Sequence, residues 1–452
     1  MPAAMGRGFL AATARCWPSG RPRTAIFEGG RRPGMNERVS SAVTPAAAAA
    51  PVAASNAPIK PPDPDLMRRF PTVHHLRAHA RRHVPHFAFE YMDGGAGIDG
   101  GIKRNWDALD AVELVPRYGV MPTLPSVDVE LFGRRYAAPI GIAPMGGPST
   151  VWPGADAHLA KAAQRLRIPY AMSTVAGITI ERAAELAPDV FWFQLYRFAN
   201  NNHAVGYDLV RRADEAGAQV LMLTLDVPVR TTRSREVAVG ITNPFRINAR
   251  MVLGTALSPG YLRAFLTHGI PRFVNFASYA GGNTDPATVS KFMRSEQRGA
   301  FTWDEVARYR DRWKRPLVVK GILHPADAEK AVSLGCDGVV VSNHGGRQIE
   351  ALPAPIDALP AVTAAVGDRA TVLMDSGIRS GLDVIRAIAL GAHAAFAGKA
   401  FLWGLGALGQ QGPGHVIDLM VDEARAALGQ IGAASLAEAP AVERRHPGAL
   451  SY

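Results

Sequence analysis

The chain has 452 residues, of which 48% are hydrophobic and 20% are charged, a balance typical of a soluble protein with a large buried core. Fibrous and wholly disordered classes are therefore excluded. The formal net charge is +11, but the first 60 residues carry eight basic and two acidic side chains, so six of those eleven charges lie there. Because the rest of the chain is only mildly basic and carries no basic stripe interleaved with aromatic residues, we expect no nucleic acid partner.

Residues 1–62 are rich in Ala, Pro and Arg and include the run TPAAAAAPVAAS. Such a segment has too few large apolar side chains to offset the entropy of ordering it. We predict a disordered N-terminal tail. Its Arg-rich start can mimic a transit peptide, and Met35 begins a plausible shorter chain, so the place of residues 1–34 in the mature protein stays open.

The two cysteines, Cys16 and Cys336, offer neither a disulfide framework nor a cysteine metal cluster. We therefore expect no metal site and a reducing compartment, the cytoplasm. The apolar run at 387–408 is long enough to span a membrane. Because His393, Lys399 and several glycines interrupt it, we predict a buried core segment instead.

From Pro139 onward the chain alternates short apolar runs with helical patterns. Continuous apolar runs are typical of parallel strands buried on both faces. Six of the seven intervals between the runs suit one strand and one helix, so we predict a (β/α)8 TIM barrel. The eight candidate strands are PIGIAP, PYAMST, VFWFQLY, VLMLTLD, PLVVKG, GVVVSN, TVLMDSG and AAFAGK.

Polar side chains terminate these runs, at the end of each strand where a barrel of this class carries its active site. A ring of such residues predicts a site at the carboxyl ends of the strands. Its members are Gln194, Tyr196, Thr224, Asp226, Lys320, Ser342, His344 and Asp375.

The interval after the fourth run is much longer than the others and contains an insertion at about residues 240–301. Its piece PGYLRAFLTHGIPRFVNF has helical apolar spacing with Arg and His interspersed. Such a segment can face a membrane surface, or it can pack as a lid over the site or against another subunit. We favour the lid or subunit packing and keep peripheral contact with a membrane as the alternative.

The strongest local signal is the motif SNHGGRQ at 342–348, directly after the sixth run. His344 can serve as an imidazole base, and Arg347 offers a planar two-donor fork to a carboxylate. These are the two parts needed to deprotonate a 2-hydroxy acid and to hold its carboxylate. The motif therefore predicts chemistry on such an acid.

In order and spacing, a set of motifs resembles the FMN-dependent L-2-hydroxy acid oxidases and dehydrogenases, a family that includes glycolate oxidase, flavin-type L-lactate dehydrogenase and mandelate dehydrogenase. The resemblance covers about residues 64–430. It implies FMN as cofactor, oxidation of a small L-2-hydroxy acid to the 2-oxo acid, a catalytic domain at 63–432 with a C-terminal tail at 433–452, and a homotetramer. The motifs are YMDGGAG at 91–97, IAPMGGPSTVWPGAD at 142–156, FQLY at 193–196, LTLDVP at 223–228, VVKG at 318–321, SNHGGRQ at 342–348, DSGIRSGLDV at 375–384 and the closing AGKAF.

The resemblance also implies roles for individual residues. His344 matches the catalytic base, and Asp226 matches the carboxylate that orients its imidazole, although a strand-end Asp can also cap a helix. Arg230 and Arg235 are alternatives to Arg233 as a substrate ligand. The implied substrate-binding residues are Tyr91, Tyr196, Arg233 and Arg347.

For the cofactor, Lys320 matches the lysine beside the flavin ring, and burial of this cation requires an anionic partner. Lys399 departs from the family, which usually has Arg there, and Val175 stands where members similar to glycolate oxidase have Trp. The implied FMN-binding residues are Pro144, Met145 and Gly146 against the ring; Lys320, Ser173, Gln194, Thr224 and Ser342 as polar contacts; and Asp375, Ser376, Gly377, Ile378, Arg379, Gly398 and Lys399 around the phosphate.

The electron acceptor is the least determined part of the function. Gly146 stands where oxidases tend to have Ala and dehydrogenases Gly, which favours a dehydrogenase that passes electrons to a quinone or cytochrome, in the cytoplasm or on the inner face of a membrane. An oxidase that reduces oxygen to hydrogen peroxide is the alternative. An FMN-dependent prenyl diphosphate isomerase is more distant, because it has no use for His344 and Arg347.

Overall fold

The computed structural model describes residues 62–120, 124–229, 231–241, 247–282, 286–296 and 299–452. The predicted disordered tail lies outside the described residues, apart from its last residue. Arg230, one of the alternatives to Arg233, also lies outside them.

Eight parallel strands close a barrel in the described part of the chain. Each strand pairs with the next along the chain, and the eighth pairs with the first. The predicted (β/α)8 TIM barrel is confirmed, and the eight candidate strands end within two residues of the observed ends. The strands are β1 (Ile140–Ile142), β2 (Tyr170–Ser173), β3 (Phe191–Leu195), β4 (Val220–Thr224), β5 (Leu317–Ile322), β6 (Gly338–Val341), β7 (Thr371–Asp375) and β8 (Ala394–Ala397).

The strands are buried on both faces, as their continuous apolar runs predict. All five residues of β3 are buried, including Trp192 and Gln194. The barrel interior is filled by large side chains, and Gly141 in β1 is required there, because a Cβ at this position would lie 2.3 Å from the ring of Phe396. Packing of this density leaves room for a ligand only at the rim of the barrel.

Helices follow each strand and surround the barrel. One of them, Trp303–Arg312, begins with a capping box in which Thr302 and Glu305 satisfy each other's backbone N–H groups. The helices after β1 to β8 are, in chain order, Ala155–Leu166, Ile180–Leu186, Asn200–Glu215, Ser234–Ala238, Ala249–Ala256, Pro259–His268, Pro286–Glu296, Trp303–Arg312, Pro325–Ser333, Pro355–Val366, Gly381–Ala389, Lys399–Leu408 and Gly412–Ile431.

Four helices precede the barrel: Pro64–Arg69, Val73–His83, His86–Asp93 and Gly100–Asp110. A hairpin of strands Val129–Leu131 and Arg134–Tyr136 then covers the amino ends of the barrel strands, where Phe132 packs edge-on against Trp192. At the chain end, Arg444–Arg445 pairs with Glu113–Leu114. The boundaries predicted for the domain and its C-terminal tail stay predictions.

The predicted insertion lies between β4 and β5 and contributes three helices, Ala249–Ala256, Pro259–His268 and Pro286–Glu296. One side of it packs inward: Tyr261 is buried, and its hydroxyl donates to the carbonyl of Thr150 at 3.1 Å. The other side leaves large apolar side chains exposed. One side of the insertion therefore packs against the loop after β1, and the other is a source of apolar surface; its role as a lid stays a prediction.

The apolar run at 387–408 divides between the end of the helix Gly381–Ala389, strand β8 and the helix Lys399–Leu408. The predicted buried core segment is what the structure shows, since both β8 and most of that last helix are buried. Among the described residues, no helix combines the length and the apolar character needed to cross a membrane.

Candidate active site

A cavity opens at the carboxyl ends of the barrel strands, with about 1020 Å³ of space that no atom fills, part of it open to solvent. Most of the predicted site residues line it: Tyr91, Pro144, Met145, Gly146, Tyr196, Arg233, Lys320, His344, Arg347, Asp375, Ser376, Gly377, Ile378, Arg379, Gly398 and Lys399. The other predicted residues do not line it: Ser173, Gln194, Thr224 and Ser342 are buried, and Asp226 is half-buried.

His344 and Asp226 form a pair although 118 positions separate them in the chain. The imidazole Nδ1 lies 3.0 Å from Oδ1 of Asp226. This contact fixes the ring and leaves Nε2 as the atom that can accept a proton. Burial alone would raise the pKa of Asp226, but His344 and Lys320 hold it below its usual value, so the carboxylate stays ionised. Gln348 secures the arrangement by donating to the carbonyl of Asp226 at 2.6 Å.

Strand register explains the buried row behind the cavity. Ser173 is opposite Gln194 in neighbouring strands, and its hydroxyl donates to the Gln194 amide oxygen at 3.0 Å. Gln194 in turn donates to Thr224 Oγ1 at 2.8 Å. The three side chains therefore lie side by side at the ends of β2, β3 and β4, as their strand-end positions predict.

Lys320 has the anionic partner that its burial requires. Its Nζ lies 2.8 Å from Oδ2 of Asp375 and donates to Ser342 Oγ at 2.6 Å. Burial would lower the pKa of this lysine, but Asp375 and Asp226 raise it above the usual value. Lys320 is thus a fixed cation at the centre of the site.

The loops after β7 and β8 form the cationic end of the cavity. Gly377, Ile378 and Arg379 line it together with Gly398 and Lys399. The helix Lys399–Leu408 begins here, and no side chain caps its N-terminus. Free N–H groups at the start of a helix are suited to a phosphate, so this end of the cavity fits the phosphate of a nucleotide cofactor.

Two of the predicted phosphate ligands already have other partners. Arg379 pairs with Asp383 and Asp110. Lys399 donates to the carbonyls of Met92, Asp93 and Gly94 at 3.1, 2.9 and 2.7 Å. Burial and the nearby Arg347 lower the pKa of Lys399 well below its usual value, so an anion beside it would stabilise its charged form. Their contact with a phosphate stays a prediction.

The two predicted carboxylate ligands meet at a residue that the sequence analysis missed. Glu236 is buried, and its Oε1 accepts from Arg347 Nη2 at 2.5 Å and from Arg233 Nη1 at 3.2 Å. Arg347 also donates to the carbonyls of Tyr91 and Gly94, at 3.0 and 2.8 Å. Glu236 stands three residues after Arg233 at the start of a helix, a spacing that could have indicated it.

The remaining candidates for substrate binding are two phenols. The Tyr91 hydroxyl donates to the carbonyl of Gly146, and its ring lies beneath the guanidinium of Arg347. Burial and the neighbouring Asp226 raise the pKa of Tyr196 to about 12, so this phenol remains a proton donor at neutral pH. Arg235, the other alternative to Arg233, instead pairs with Glu90, Asp93 and Asp99.

Several lining residues come from helices that the motifs did not mark. The helix Gly100–Asp110 and the helix Lys399–Leu408 supply aromatic and apolar wall residues, which carry no chemical signature in a sequence. The lining residues that were not predicted are Met92, Ile102, Asn105, Trp106, Ala143, Gly345, Phe396, Leu402 and Trp403.

Comparison with known proteins agrees with this geometry. The family model described as FMN-dependent dehydrogenase matches residues 80–444. The chain belongs to the FMN-dependent dehydrogenase family. The resemblance inferred from the motifs is thereby confirmed, and the cofactor is FMN. The enzyme is an oxidoreductase.

Individual members of the family are similar to this enzyme over most of their length. The enzyme is 37% identical to an L-lactate dehydrogenase of Caulobacter vibrioides over 363 residues, 80% of this chain and 94% of that one. It is 34% identical to the (S)-mandelate dehydrogenase of Pseudomonas putida, over 80% of this chain and 90% of that one. A crystal structure of the monotopic membrane protein (S)-mandelate dehydrogenase matches with a TM-score of 0.78 at 32% identity, over 83% of this chain and 99% of that one.

The residues present fit FMN. The uncapped helix start after β8 suits the phosphate, and Lys320 provides a fixed positive charge where the resemblance implies the flavin ring. Pro144, Met145 and Gly146, which follow β1, line the same cavity. The cavity therefore offers a cationic end and a cationic centre, as a phosphorylated flavin requires.

Proposed function

We propose that the enzyme oxidises the L enantiomer of a monocarboxylic 2-hydroxy acid to the 2-oxo acid and passes the electrons to a membrane quinone. One observation carries the first half of the proposal: a carboxylate-oriented imidazole and a pair of arginines line the same cavity. When bound, FMN accepts the two electrons that leave the substrate.

Each side chain then has a defined task. Arg347 and Arg233 hold the substrate carboxylate, and Tyr196, which keeps its proton, donates to the substrate. His344 Nε2 takes the proton of the hydroxyl group, the α-hydrogen leaves with the two electrons that FMN would accept when bound, and ionised Asp226 stabilises the imidazolium that forms. The prenyl diphosphate isomerase alternative gives no task to this set of residues.

The charges of the site suit one carboxylate and no more. Arg233 and Arg347 share the single negative charge of Glu236, which leaves one positive charge for the substrate. The positive charge of Lys320 is balanced by the carboxylate of Asp375. A second carboxylate on the substrate would be buried without a partner, at a cost of about 3 kcal/mol or more.

We therefore expect monocarboxylic L-2-hydroxy acids to bleach the flavin under anaerobic conditions, with a specificity at least about 100-fold above that for L-malate. Reduction should be followed at the flavin absorbance for L-lactate, (S)-mandelate, L-malate and the D enantiomers. Bleaching by no 2-hydroxy acid would contradict the proposed function. Equal specificity for L-malate would contradict only the charge argument.

For the electron acceptor, we expect a quinone analogue to reoxidise the reduced enzyme at least about tenfold faster than air does. A dehydrogenase discriminates against oxygen by such a difference in rate. Gly146 stands where dehydrogenases of this family tend to have Gly, and its carbonyl accepts from Tyr91. Stopped-flow reoxidation measures both rates. Reoxidation in air as fast as turnover with quinone would replace the dehydrogenase with the oxidase alternative.

The Gly146→Ala variant tests this residue directly. A Cβ on Gly146 would lie 3.0 Å from Cγ2 of Val175, so the added methyl group must displace either the backbone or Val175. Comparing Gly146→Ala with Gly146→Ala/Val175→Ala separates the methyl group from that displacement. An increase in the oxygen rate that persists in both variants would assign the effect to the methyl group.

The insertion supplies the surface on which we propose that the enzyme contacts the membrane. Its exposed apolar side chains are Ile247, Val252, Leu253, Leu257, Leu266 and Ile270. Exposed Arg250, Arg263 and Arg272 accompany them, and no acidic residue occurs between 247 and 273. A surface that is both apolar and basic fits an anionic lipid headgroup layer. The structurally similar (S)-mandelate dehydrogenase is itself a monotopic membrane protein.

A second basic segment lies beside this surface. Gly254 packs against Pro85, and the rings of Phe87 and Tyr261 are 6.0 Å apart. Exposed Arg81 and Arg82, just before Pro85, therefore extend the basic rim. We propose that this face of the barrel docks on the inner face of the membrane; a homotetramer remains a prediction from the resemblance.

Vesicle sedimentation tests the surface. Because burying one leucine contributes about 1.5–3 kcal/mol, the double variant Leu253→Glu/Leu257→Glu should weaken binding to phosphatidylglycerol-containing vesicles at least about tenfold. Leu124→Glu is the matched control, since Leu124 is 87% exposed and lies outside the insertion. Equal binding of the double variant and the unchanged enzyme would exclude this surface.

A further inference from the structure

Ser376 occupies a backbone conformation that serine disfavours. Its φ is 79°, in the left-handed region, and the side chain is buried directly after β7. Glycine adopts this region without steric cost, whereas other residues are retained there when their side chains are needed. The conformation therefore indicates that the Ser376 hydroxyl has a function.

The hydroxyl group holds the loop that carries His344. Ser376 Oγ accepts from the backbone N–H of Asn343 at 3.3 Å and of Gly345 at 2.9 Å, the two neighbours of His344. The N–H of His344 itself donates to Ser342 Oγ at 3.0 Å. Three consecutive N–H groups of the loop are thus held by two serine hydroxyls.

His344 needs such support, because its own φ is 59° and the next two residues, Gly345 and Gly346, have φ values of 69° and 70°. The N–H groups of a turn made of left-handed residues are not paired in the sheet. The serine hydroxyls compensate for this by accepting the N–H groups that the turn exposes.

The Ser376 hydroxyl has no capacity left for a phosphate. A hydroxyl group has one hydrogen to donate and two lone pairs to accept with. Ser376 uses both lone pairs on the loop and donates its hydrogen to Asp375 Oδ1 at 2.8 Å. Asp375 is in turn paired with Lys320, so the loop is connected to the fixed cation of the site.

We propose that Ser376 is a positioning residue for the base His344, acting through its hydroxyl, and that this hydroxyl is not a ligand of the cofactor phosphate. The inference rests on the proposed function, since it takes His344 as the base. It revises the role that the resemblance implies for the Ser376 side chain. Ser376 still lines the cavity.

The test uses Ser376→Gly and Ser376→Ala in the FMN-loaded enzyme. Because glycine relieves the strain at φ 79°, the glycine variant is expected to fold at least as well as the alanine variant. Both should reduce the flavin about 10–100-fold more slowly under saturating L-2-hydroxy acid, the range expected for a misplaced base. Substrate and FMN dissociation constants should change by less than about threefold, because neither ligand contacts the hydroxyl.

Combination with His344→Ala distinguishes positioning from general damage. If Ser376 acts through His344, Ser376→Gly should cause no further loss of rate in the His344→Ala background. Tyr136→Phe is the control for a lost buried hydroxyl, since Tyr136 donates to Gln219 near the amino ends of the strands. It should leave the reduction rate unchanged.

The outcomes separate cleanly. Slower reduction in both Ser376 variants, with FMN affinity preserved and no additive loss, supports the proposal. FMN affinity that falls about tenfold while the reduction rate is kept would overturn it and assign the hydroxyl to the phosphate. An additive loss in the double variant would also overturn it. A normal reduction rate in His344→Ala would overturn it as well, because His344 would then not be the base, whereas bleaching by no 2-hydroxy acid would refute the proposed function.

Discussion

Replacement of His344 by alanine is expected to leave FMN bound and to slow reduction of the flavin by substrate about 10²–10⁴-fold, the usual effect of losing a general base. FMN should stay because the imidazole contacts Asp226, whereas the predicted phosphate site lies at the loops after β7 and β8. Anaerobic stopped-flow absorbance, with FMN content measured separately, gives both quantities.

Two further variants sharpen this experiment. Asp226→Asn keeps the shape of the side chain and removes its charge, so it should also slow reduction. In combination with His344→Ala, Asp226→Asn should slow reduction little further, because the two residues act as a unit. His393→Ala is the matched control: this exposed histidine lies at the amino end of β8, beside Val372. A near-normal rate in His344→Ala would assign proton abstraction to another group.

Replacement of Arg347 by lysine is expected to lower kcat/KM about 100-fold although the charge is kept. The guanidinium bonds two carbonyls, those of Tyr91 and Gly94, with one nitrogen and Glu236 with another. These bonds take three of the five N–H groups and fix the guanidinium plane, so two N–H groups are left for a carboxylate, an arrangement that an ammonium group cannot reproduce. The loss should also appear in the dissociation constant of a 2-oxo acid product, measured by its perturbation of the flavin spectrum.

Arg235→Lys provides the control for this change. Arg235 lies two residues from Arg233, yet it pairs with Glu90, Asp93 and Asp99 rather than lining the cavity. Its replacement should lower stability rather than substrate affinity. An unchanged specificity constant in Arg347→Lys would remove Arg347 from the substrate site and leave Arg233 as the carboxylate ligand.

The arginine pair also shows why charge must be counted over the whole site. Arg233 and Arg347 would repel each other if no anion lay between them, and Glu236 supplies that anion at 3.2 and 2.5 Å. Burial and the charge of Arg233 lower the pKa of Arg347, whereas Glu236 raises it. Glu236 therefore stabilises the charged pair before any substrate arrives.

Much of the architecture could be predicted from the sequence, because continuous apolar runs at regular intervals allow few folds. Runs such as VFWFQLY are buried on both faces only as inner parallel strands, and polar residues at their ends must then share one rim. The motif SNHGGRQ likewise placed His344 and Arg347 close together, since they are three positions apart in the chain.

The tertiary structure decided which distant groups meet. The pairing of His344 with Asp226 spans 118 positions, and that of Arg347 with Glu236 spans 111. Closure of the barrel brings such residues together. The sequence gives the order of the residues but not the distances between them in space. The direction of each side chain could not be predicted from the sequence either. Lys399 donates to the carbonyls at the end of the helix His86–Asp93, and the Ser376 hydroxyl accepts from the loop of His344. These contacts depend on backbone angles and neighbouring elements, which only the folded chain defines.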